Sequence, residues 1–217
     1  MKKCLIISGG EFEDLSEFVR PVDITQYDLM IACDRGVLYA SKMGIRPDLI
    51  IGDFDSLNCD PSDIFPGVNI KRYPVMKDDT DTMLAIKHAL SEDYKDITLV
   101  CALGGRSDHF IANIESLHYI ALNSGKGHIL SKGESLMTLT EDEKKLSLEG
   151  REGFCFSLFS LTDRCDGLTI KDALYNAENI TLTNSFPLGH GNHFTDKPAL
   201  ISIKSGILLI VESHTES

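Results

Sequence analysis

Aspartates that could hold a metal ion lie in two short stretches of the chain. Asp53 and Asp55 stand two positions apart in PDLIIGDFDSL (47–57), directly after an apolar run. In extended backbone both side chains would point to the same face, where a hard cation such as Mg2+ could take their carboxylate oxygens. An Asx-turn that leaves a strand would explain the same two residues without a metal. Both interpretations are open at this point.

The second acidic stretch, KDDTDT (77–82), opens a segment with helical periodicity. Helix capping and the helix dipole explain one or two acids at such a position more easily than three. Asp78 and Asp81 are three positions apart, so we expect them to share a helical face. Either could add a carboxylate to the same metal or accept the proton of an attacking hydroxyl group.

Glycines follow apolar runs at three further places. Gly9 and Gly10 follow CLII (4–7), and Gly104 and Gly105 follow ITLVCAL (97–103). The third place is CDRG, which supplies Asp34, Arg35 and Gly36 after DLMIA (28–32). Glycine lets backbone N–H groups approach a phosphate, which predicts nucleotide contacts in these loops.

The stretch GGRSDH (104–109) carries charge as well as glycine. Arg106 could pair with a phosphate, and Asp108 and His109 follow it at the start of a predicted helix. The alternative is a tight turn in which Ser107 or Asp108 caps the helix and His109 only orients Asp108.

The elements that must position these residues alternate along the first half of the chain. Apolar runs of strand length occur at 4–7, 28–32, 48–51, 68–73 and 97–103, and helical patterns follow in DTMLAIKHAL and DHFIANIESLHYIAL. This alternation predicts an α/β domain with a mostly parallel sheet. Ligands of such sheets bind outside the carboxyl ends of the strands, so we expect the polar loops to converge at one edge.

The second half shows short strand-like segments and no convincing helix. They begin with GHILS and ESLMTLT and end with ALISI and GILLIVES. This pattern predicts an all-β sandwich. We place the domains at 1–128 and 129–217, with the boundary in the glycine-bearing segment NSGKGHILSKGE.

Composition narrows the classes of partner. The chain has 217 residues, a formal net charge of −12 and no dense block of Lys and Arg, so we expect it to bind neither nucleic acid nor a membrane. No apolar run is long enough to span a bilayer. The six cysteines form no Cys-x-x-Cys pair, and Cys4, Cys33 and Cys101 lie in apolar runs. This usage predicts buried thiols and a cytoplasmic location.

The ordered set CDRG, PDLIIGDFDS, KDDTDT and LGGRSDH resembles thiamin pyrophosphokinase. Two later segments, SLFSLTDRCDGLTI and LGHGNHFTDKPALISIKSGILLIVES, are similar to that family's thiamin-binding domain. The resemblance implies transfer of the diphosphoryl group of ATP to thiamin, with Mg2+, by a homodimer whose active site is shared between subunits. It also implies an α/β catalytic domain followed by a β-sandwich.

The resemblance assigns roles by position. It implies that Asp53, Asp55 and Asp81 bind the metal, and that Asp34, Arg106 and Asp108 contact nucleotide and substrate. It places Tyr175 against thiamin, where the family often has Trp, and Gly191–Asn192 where the family often has Ser-Asn. A Tyr half-buried on a strand is the alternative for Tyr175.

Three other functions fit parts of the pattern. DFDSL loosely resembles the D-x-D-x-T motif of haloacid-dehalogenase-like phosphatases, but here Leu57 replaces Thr and the pair follows the third apolar run. A metal-dependent nucleotide-sugar transferase could use D-x-D, although GGRSDH has no clear place in it. A nucleotide- or metal-sensing module would not need several acid-bearing loops at one edge.

Overall fold

The computed structural model describes residues 1–76 and 78–215. The chain forms two compact units, which we call unit 1 (residues 1–132) and unit 2 (residues 133–217). The segment GHILS, which the sequence pattern grouped with the second half, lies largely in the last strand of unit 1. It belongs there because that strand pairs in parallel with the strand at Tyr94–Val100.

Unit 1 is a parallel sheet with helices. The strands are β1 (Lys2–Ile7), β2 (Leu29–Cys33), β3 (Leu49–Gly52), β4 (Asn69–Arg72), β5 (Tyr94–Val100) and β6 (Lys126–Leu130). The helices are α1 (Gly36–Lys42), α2 (Pro61–Ile64), α3 (Asp81–Ser91) and α4 (Ser107–Leu122), with 3-10 turns at Leu15–Glu17 and Ile24–Gln26. Within unit 1 the strand order is β6-β5-β1-β2-β3-β4, and every described pairing in it is parallel.

Burial explains why the apolar runs form the central strands. Residues 4–7 of β1 and 49–52 of β3 are buried along their whole length, as expected for strands covered on both faces. Cys4, Cys33 and Cys101 are buried free thiols, which confirms that part of the sequence prediction. Helix α4 is exposed at Ile111 near its start, and its fully buried residues begin at Ser116.

Unit 2 contains eight strands in its described part. They are β7 (Glu134–Thr140), β8 (Lys145–Leu148), β9 (Phe154–Ser160), β10 (Arg164–Lys171), β11 (Ala177–Thr183), β12 (Gly189–His193), β13 (Ala199–Ser202) and β14 (Ile207–His214). Their pairings are antiparallel, in the orders β12-β9-β14-β7 and β11-β10-β13-β8. Phe156, Leu168 and Ile210 belong to one core formed by both sheets. The predicted β-sandwich is confirmed.

The helices of the described ranges, 1–76 and 78–215, include none that is long and apolar enough to cross a membrane.

Candidate active site

A cavity of about 260 Å³ lies at the carboxyl ends of β1, β2 and β5, where the N-termini of α3 and α4 also meet. We call it the strand-end cavity. Three of the four polar loops singled out in the sequence line it, together with the end of the KDDTDT stretch. Its lining residues are Ser8, Gly9, Gly10, Cys33, Asp34, Thr80, Asp81, Thr82, Ala102, Gly104, His109, Ala112 and Asn113.

Three carboxylates come together beside this cavity. Asp34, Asp53 and Asp55 each offer an oxygen atom, and these atoms lie within 4.8 Å of one another. Asp34 also lines the strand-end cavity, as does Asp81 from the start of α3. The structure thus brings together two of the three predicted metal ligands, with Asp34 as the third acid of the cluster. Like charges at this spacing repel unless a cation balances them.

Local hydrogen bonds fix the cluster. The Ser56 hydroxyl group lies 2.9 and 2.8 Å from the two carboxylate oxygens of Asp34, so it can donate to either one. The backbone N–H of Asp55 donates to Asp53 Oδ1 at 3.2 Å. The Asx-turn considered as an alternative is therefore present, and it occurs together with the carboxylate cluster.

The expectation of extended backbone at Asp53 and Asp55 is wrong. Strand β3 ends at Gly52, and Phe54 has a φ of 63°, so the two carboxylates meet across a turn. Phe54 is buried, and the guanidinium group of Arg72 lies 5.1 Å from its ring centroid. Left-handed backbone is rare for an aromatic residue, and here it occurs at a residue whose ring is packed inside the fold.

Three residues that follow strands of this edge have left-handed backbone. Asp34, Phe54 and Cys101 follow β2, β3 and β5 and have φ angles of 48°, 63° and 53°, and five further described residues other than glycine have positive φ elsewhere. Such conformations cost about 1–3 kcal/mol each. Asp34 is therefore held in a rare backbone conformation within the carboxylate cluster.

The start of α3 separates the roles of the acids in KDDTDT. Thr80 is the N-cap and accepts the backbone N–H of Met83 at 3.1 Å, and Asp81 is the first helical residue. Asp79 pairs with Lys87 at 2.7 Å. Asp78 is exposed and precedes the helix, so the expectation that it shares a helical face with Asp81 is wrong.

Gly10, which follows β1, is required because the backbone around it packs closely. The N–H of Gly10 donates to the carbonyl oxygen of Cys101 at 3.0 Å, and its own carbonyl accepts the Tyr39 hydroxyl at 2.8 Å. A Cβ atom at Gly10 would lie 2.6 Å from the Cys101 oxygen. Its N–H is thus used within the fold, and the glycine allows two loops of the cavity to approach each other.

At the N-terminus of α4, Arg106 and Asp108 form a two-bonded ion pair with distances of 3.1 and 2.6 Å. Hydrogen bonding to Arg106 is the main cause that lowers the pKa of Asp108, and Asp108 in turn raises the pKa of Arg106. Arg106 is the N-cap residue, so the alternative with Ser107 or Asp108 as cap is wrong. His109 contributes its backbone N–H to Asp108 Oδ1 at 3.0 Å.

The cavity contains a thiol that is not a nucleophile. Burial raises the pKa of the Cys33 thiol well above its ordinary value, and nearby Asp81 acts in the same direction. Cys33 is therefore protonated and neutral at physiological pH, and it serves as a small apolar side chain.

In unit 2, Tyr175 lies in the loop 172–176 between β10 and β11, and its side chain is 64% exposed. The alternative of a Tyr half-buried on a strand is therefore wrong. Asn192, on β12, is buried, and its side-chain amide bonds to the backbone of Tyr175. Gly191 has a φ of 75° and donates its N–H to the Ser157 hydroxyl at 3.0 Å.

Comparison with known proteins agrees with this arrangement. Residues 23–127 match the family model described as the catalytic domain of thiamin pyrophosphokinase. The chain is 25% identical to the thiamine pyrophosphokinase of Bacillus subtilis (strain 168), over 98% of this chain and 99% of that protein. Residues 23–127 thus match a thiamin pyrophosphokinase catalytic domain, and the chain is similar to a thiamine pyrophosphokinase over nearly its whole length. The resemblance found from the four motifs is confirmed.

Solved structures of the family share the fold over both units. The crystal structure of the Bacillus subtilis thiamine pyrophosphokinase has a TM-score of 0.84 at 25% identity, and the alignment covers 98% of this chain and 99% of that one. An Enterococcus faecalis thiamin pyrophosphokinase family protein has a TM-score of 0.81 at 22% identity, and the alignment covers both chains fully. Yeast thiamin pyrophosphokinase has a TM-score of 0.74 at 15% identity, and the alignment covers 98% of this chain and 86% of that one.

Five polar residues at the site had no predicted role. Ser56, Thr80 and Thr82 lie inside the quoted motifs, whereas Ser8 and Asn113 lie outside them. Two of them touch, since the hydroxyl groups of Ser8 and Thr82 lie 3.1 Å apart. Asn113 follows His109 by four positions, so helical spacing could have placed both on one face. No spacing rule connects Ser8 with Thr82, which are distant in sequence.

Proposed function

We propose that this protein transfers the diphosphoryl group of ATP to the hydroxyethyl oxygen of thiamin, giving thiamin diphosphate and AMP with the help of Mg2+. The observation that carries the proposal is the convergence of Asp34, Asp53 and Asp55 at the edge of a thiamin pyrophosphokinase catalytic domain. The phosphatase, nucleotide-sugar transferase and sensing-module interpretations lack this combined support.

The carboxylate cluster fits a hard divalent cation. Asp34, Asp53 and Asp55 offer oxygen ligands close enough to share one ion, and Asp81 faces the adjoining cavity. Bound Mg2+ would neutralise phosphate charge and so let a chain of net charge −12 hold a polyphosphate. We therefore propose Asp53, Asp55 and Asp81 as metal residues, as the resemblance implies, and add Asp34.

The chain's own residues would position the reactants and move one proton. The thiamin hydroxyl oxygen attacks the β-phosphorus of ATP, a new O–P bond forms, and the bond from the β-phosphorus to the bridging oxygen breaks, so that AMP leaves with the electron pair. Asp81 lines the cavity and is our candidate for the acceptor of the hydroxyl proton. Asp78 is the second candidate, and its exposure makes proton transfer within the site less direct.

Nucleotide contacts are proposed in the loops after β1, β2 and β5. Arg106 would turn from Asp108 to a phosphate oxygen, and both side chains are exposed enough to move. Gly105 has a φ of 72° and open space around its Cα atom, which permits a close phosphate approach. The full proposed set is Gly9, Gly10, Asp34, Arg35, Gly36, Gly104, Gly105, Arg106, Asp108 and His109.

Product analysis tests the reaction directly. Incubation with ATP, Mg2+ and thiamin should give AMP and thiamin diphosphate in equal amounts, and omission of thiamin or addition of a chelator should stop AMP formation. ADP together with thiamin monophosphate would mean a simple kinase and contradict the proposal. Phosphate release without thiamin would favour the phosphatase interpretation.

Thiamin recognition is proposed for Tyr175, Gly191 and Asn192 of unit 2, by family resemblance. We also propose a homodimer with each active site shared between subunits, and a cytoplasmic location in keeping with the free thiols. Sedimentation at micromolar concentration should give about twice the chain mass of 24.0 kDa. A fully active monomer would contradict the shared site.

A further inference from the structure

The side-chain amide of Asn192 is occupied by backbone groups. Its Oδ1 accepts the N–H of Tyr175 at 3.0 Å and that of His193 at 2.9 Å, and its Nδ2 donates to the carbonyl oxygen of Tyr175 at 2.8 Å. The residue is only 6% exposed. A buried amide with three such bonds has little left to offer a ligand directly, since its four hydrogen-bonding positions are mostly used.

The loop that Asn192 holds combines a fixed backbone with exposed apolar side chains. Leu174 donates its N–H to the carbonyl oxygen of His193 at 3.0 Å, and the Thr195 hydroxyl donates to the carbonyl oxygen of Asp172 at 2.8 Å. Yet Leu174 and Tyr175 are 57% and 64% exposed. Ordering a backbone while leaving its apolar side chains in water brings little stability to the fold, but it lowers the ordering cost of binding a flat ligand.

A bulge in β12 aims the amide at this loop. The register of β12 against β9 shifts between Gly189 and Asn192, and Gly191 has a φ of 75° within the shift. The hydroxyl group of Ser157, on β9, accepts the N–H of Gly191 at 3.0 Å and so supports the irregular backbone. Bulges of this kind redirect the side chains beside them.

From these contacts we infer that Asn192 is a positioning residue, which fixes the backbone of Tyr175 so that the exposed ring is presented to thiamin. The ligand part of this inference rests on the proposed function, whereas the fixing of the loop does not. Asn192 acts through Tyr175 and need not touch thiamin. Gly191 contributes by permitting the bulge.

Amide hydrogen exchange tests the loop without any ligand. In Asn192→Ala the Tyr175 amide loses its acceptor, so we expect it to exchange about tenfold faster. Asn192→Ser keeps a hydroxyl group that can still bond to one of the freed backbone groups, so it should retain part of the protection. The matched control is Asn184→Ala, which truncates an exposed Asn in the loop between β11 and β12 and should leave Tyr175 unchanged. Unchanged exchange in Asn192→Ala would overturn the inference.

Steady-state kinetics with a double-mutant cycle tests the link to thiamin. Asn192→Ala should raise the thiamin KM about tenfold, while kcat and the ATP KM stay within about twofold. In a Tyr175→Ala background the same change should add less than about twofold, because the ring it positions is gone. An equal effect in both backgrounds would mean that Asn192 contacts thiamin itself, and would overturn its assignment as a positioning residue.

The two experiments separate the two possible failures. If Asn192→Ala folds poorly, Asn192→Ser enters the same cycle, where the hydroxyl group can still bond to one of the freed backbone groups and should raise the thiamin KM by a smaller factor than alanine would. If the wild-type protein does not convert thiamin, the proposed function is wrong, and the exchange rates still decide whether Asn192 fixes the loop.

Discussion

In unit 1 the candidate site is charged and lies at the ends of parallel strands, where oxygen atoms of Asp34, Asp53 and Asp55 lie within 4.8 Å of one another. In unit 2 the candidate site is an aromatic ring on a loop, and the polar group behind it, Asn192, is buried and bonded to backbone. The polar groups of unit 1 thus face the strand-end cavity or gather beside it, whereas the polar group of unit 2 bonds to the backbone behind an exposed ring.

This difference indicates which class of ligand suits each unit. Converging carboxylates need a cation, and with it they suit a polyphosphate, whose charge is its main feature. An exposed ring with a fixed backbone suits a flat and cationic ligand through stacking and cation–π contact. Substitutions in unit 1 should therefore affect turnover and metal dependence, and substitutions in unit 2 should affect the affinity for the acceptor.

The largest effect is expected in the carboxylate cluster. Asp53→Asn or Asp55→Asn keeps the size of the side chain and removes one charge, so turnover should fall by at least about 100-fold through lost stabilisation of phosphate charge. Without Mg2+ the melting temperature should stay the same or rise, because carboxylate repulsion is relieved. Rates at saturating substrates and thermal unfolding without metal measure the two effects.

A matched control lies in the 3-10 turn before β2. Asp23 caps that turn by accepting the N–H of Thr25 at 3.0 Å, and Asn is an equally good cap. Asp23→Asn makes the same chemical change outside the carboxylate cluster and should leave turnover close to that of the wild type. Near-normal activity of Asp55→Asn would remove Asp55 from the metal site.

The second effect follows from substitution of Tyr175 and should change the binding of one substrate only, thiamin. Offset stacking contributes about 0.5–1.5 kcal/mol and a cation–π contact about 0.5–2 kcal/mol. Taking ~1.5–2 kcal/mol together, Tyr175→Ala should weaken thiamin binding roughly 10–30-fold, while the ATP constant barely moves. Tyr175→Trp should preserve or tighten binding, since indole attracts cations more strongly. Equal shifts in the thiamin and ATP constants would show that Tyr175 has a structural role.

The two units also differ in how far the sequence predicts them. A parallel sheet forces the loops after its strands to one edge, so CDRG, GDFDS and GGRSDH could be placed together from the order of elements alone. The turn at Phe54 could not, because a positive φ is rare for phenylalanine and no pattern in the sequence indicates it. In unit 2 no comparable rule brings Tyr175 to Asn192, since their contact depends on a bulge, so only the family resemblance indicated that site.

The third effect tests how Asp34 is held. Ser56→Ala removes the hydroxyl group that lies against both oxygens of Asp34. A hydrogen bond to a charged group contributes about 1.5–3 kcal/mol, part of which water restores, so we expect metal affinity to fall by up to about tenfold. Ser56→Thr retains the hydroxyl and serves as control. Binding of Mn2+ followed by electron paramagnetic resonance, without substrates, measures this, and equal affinity in Ser56→Ala would show that Asp34 needs no such support.

The smallest expected effect is on the pH dependence of stability, which should have opposite signs for one residue of each unit. Burial, with help from the ammonium group of Lys71 at 3.2 Å, lowers the pKa of His88 on α3, against a weaker opposing effect of Glu92. Burial raises the pKa of Glu134 on β7. A lowered histidine pKa means that the unfolded chain takes up a proton first, so unit 1 loses stability as pH falls below about 6.5. A raised carboxyl pKa means that the folded chain takes up the proton first, so unit 2 gains stability as pH falls toward about 4.5.

Two substitutions make these opposite signs visible. The contribution of His88 is complete above its unfolded pKa and is lost as pH falls through its folded pKa, so His88→Gln should reduce the loss of stability between pH of about 7.5 and 5.5. The contribution of Glu134 is complete below its unfolded pKa and is lost as pH rises through its folded pKa, so Glu134→Gln should reduce the dependence just above about 4.5. Urea unfolding across this pH range measures how the free energy of unfolding changes with pH. Each variant is compared with the parent chain. Slopes that change in the same direction in both variants would show that burial does not control these two groups as the structure indicates.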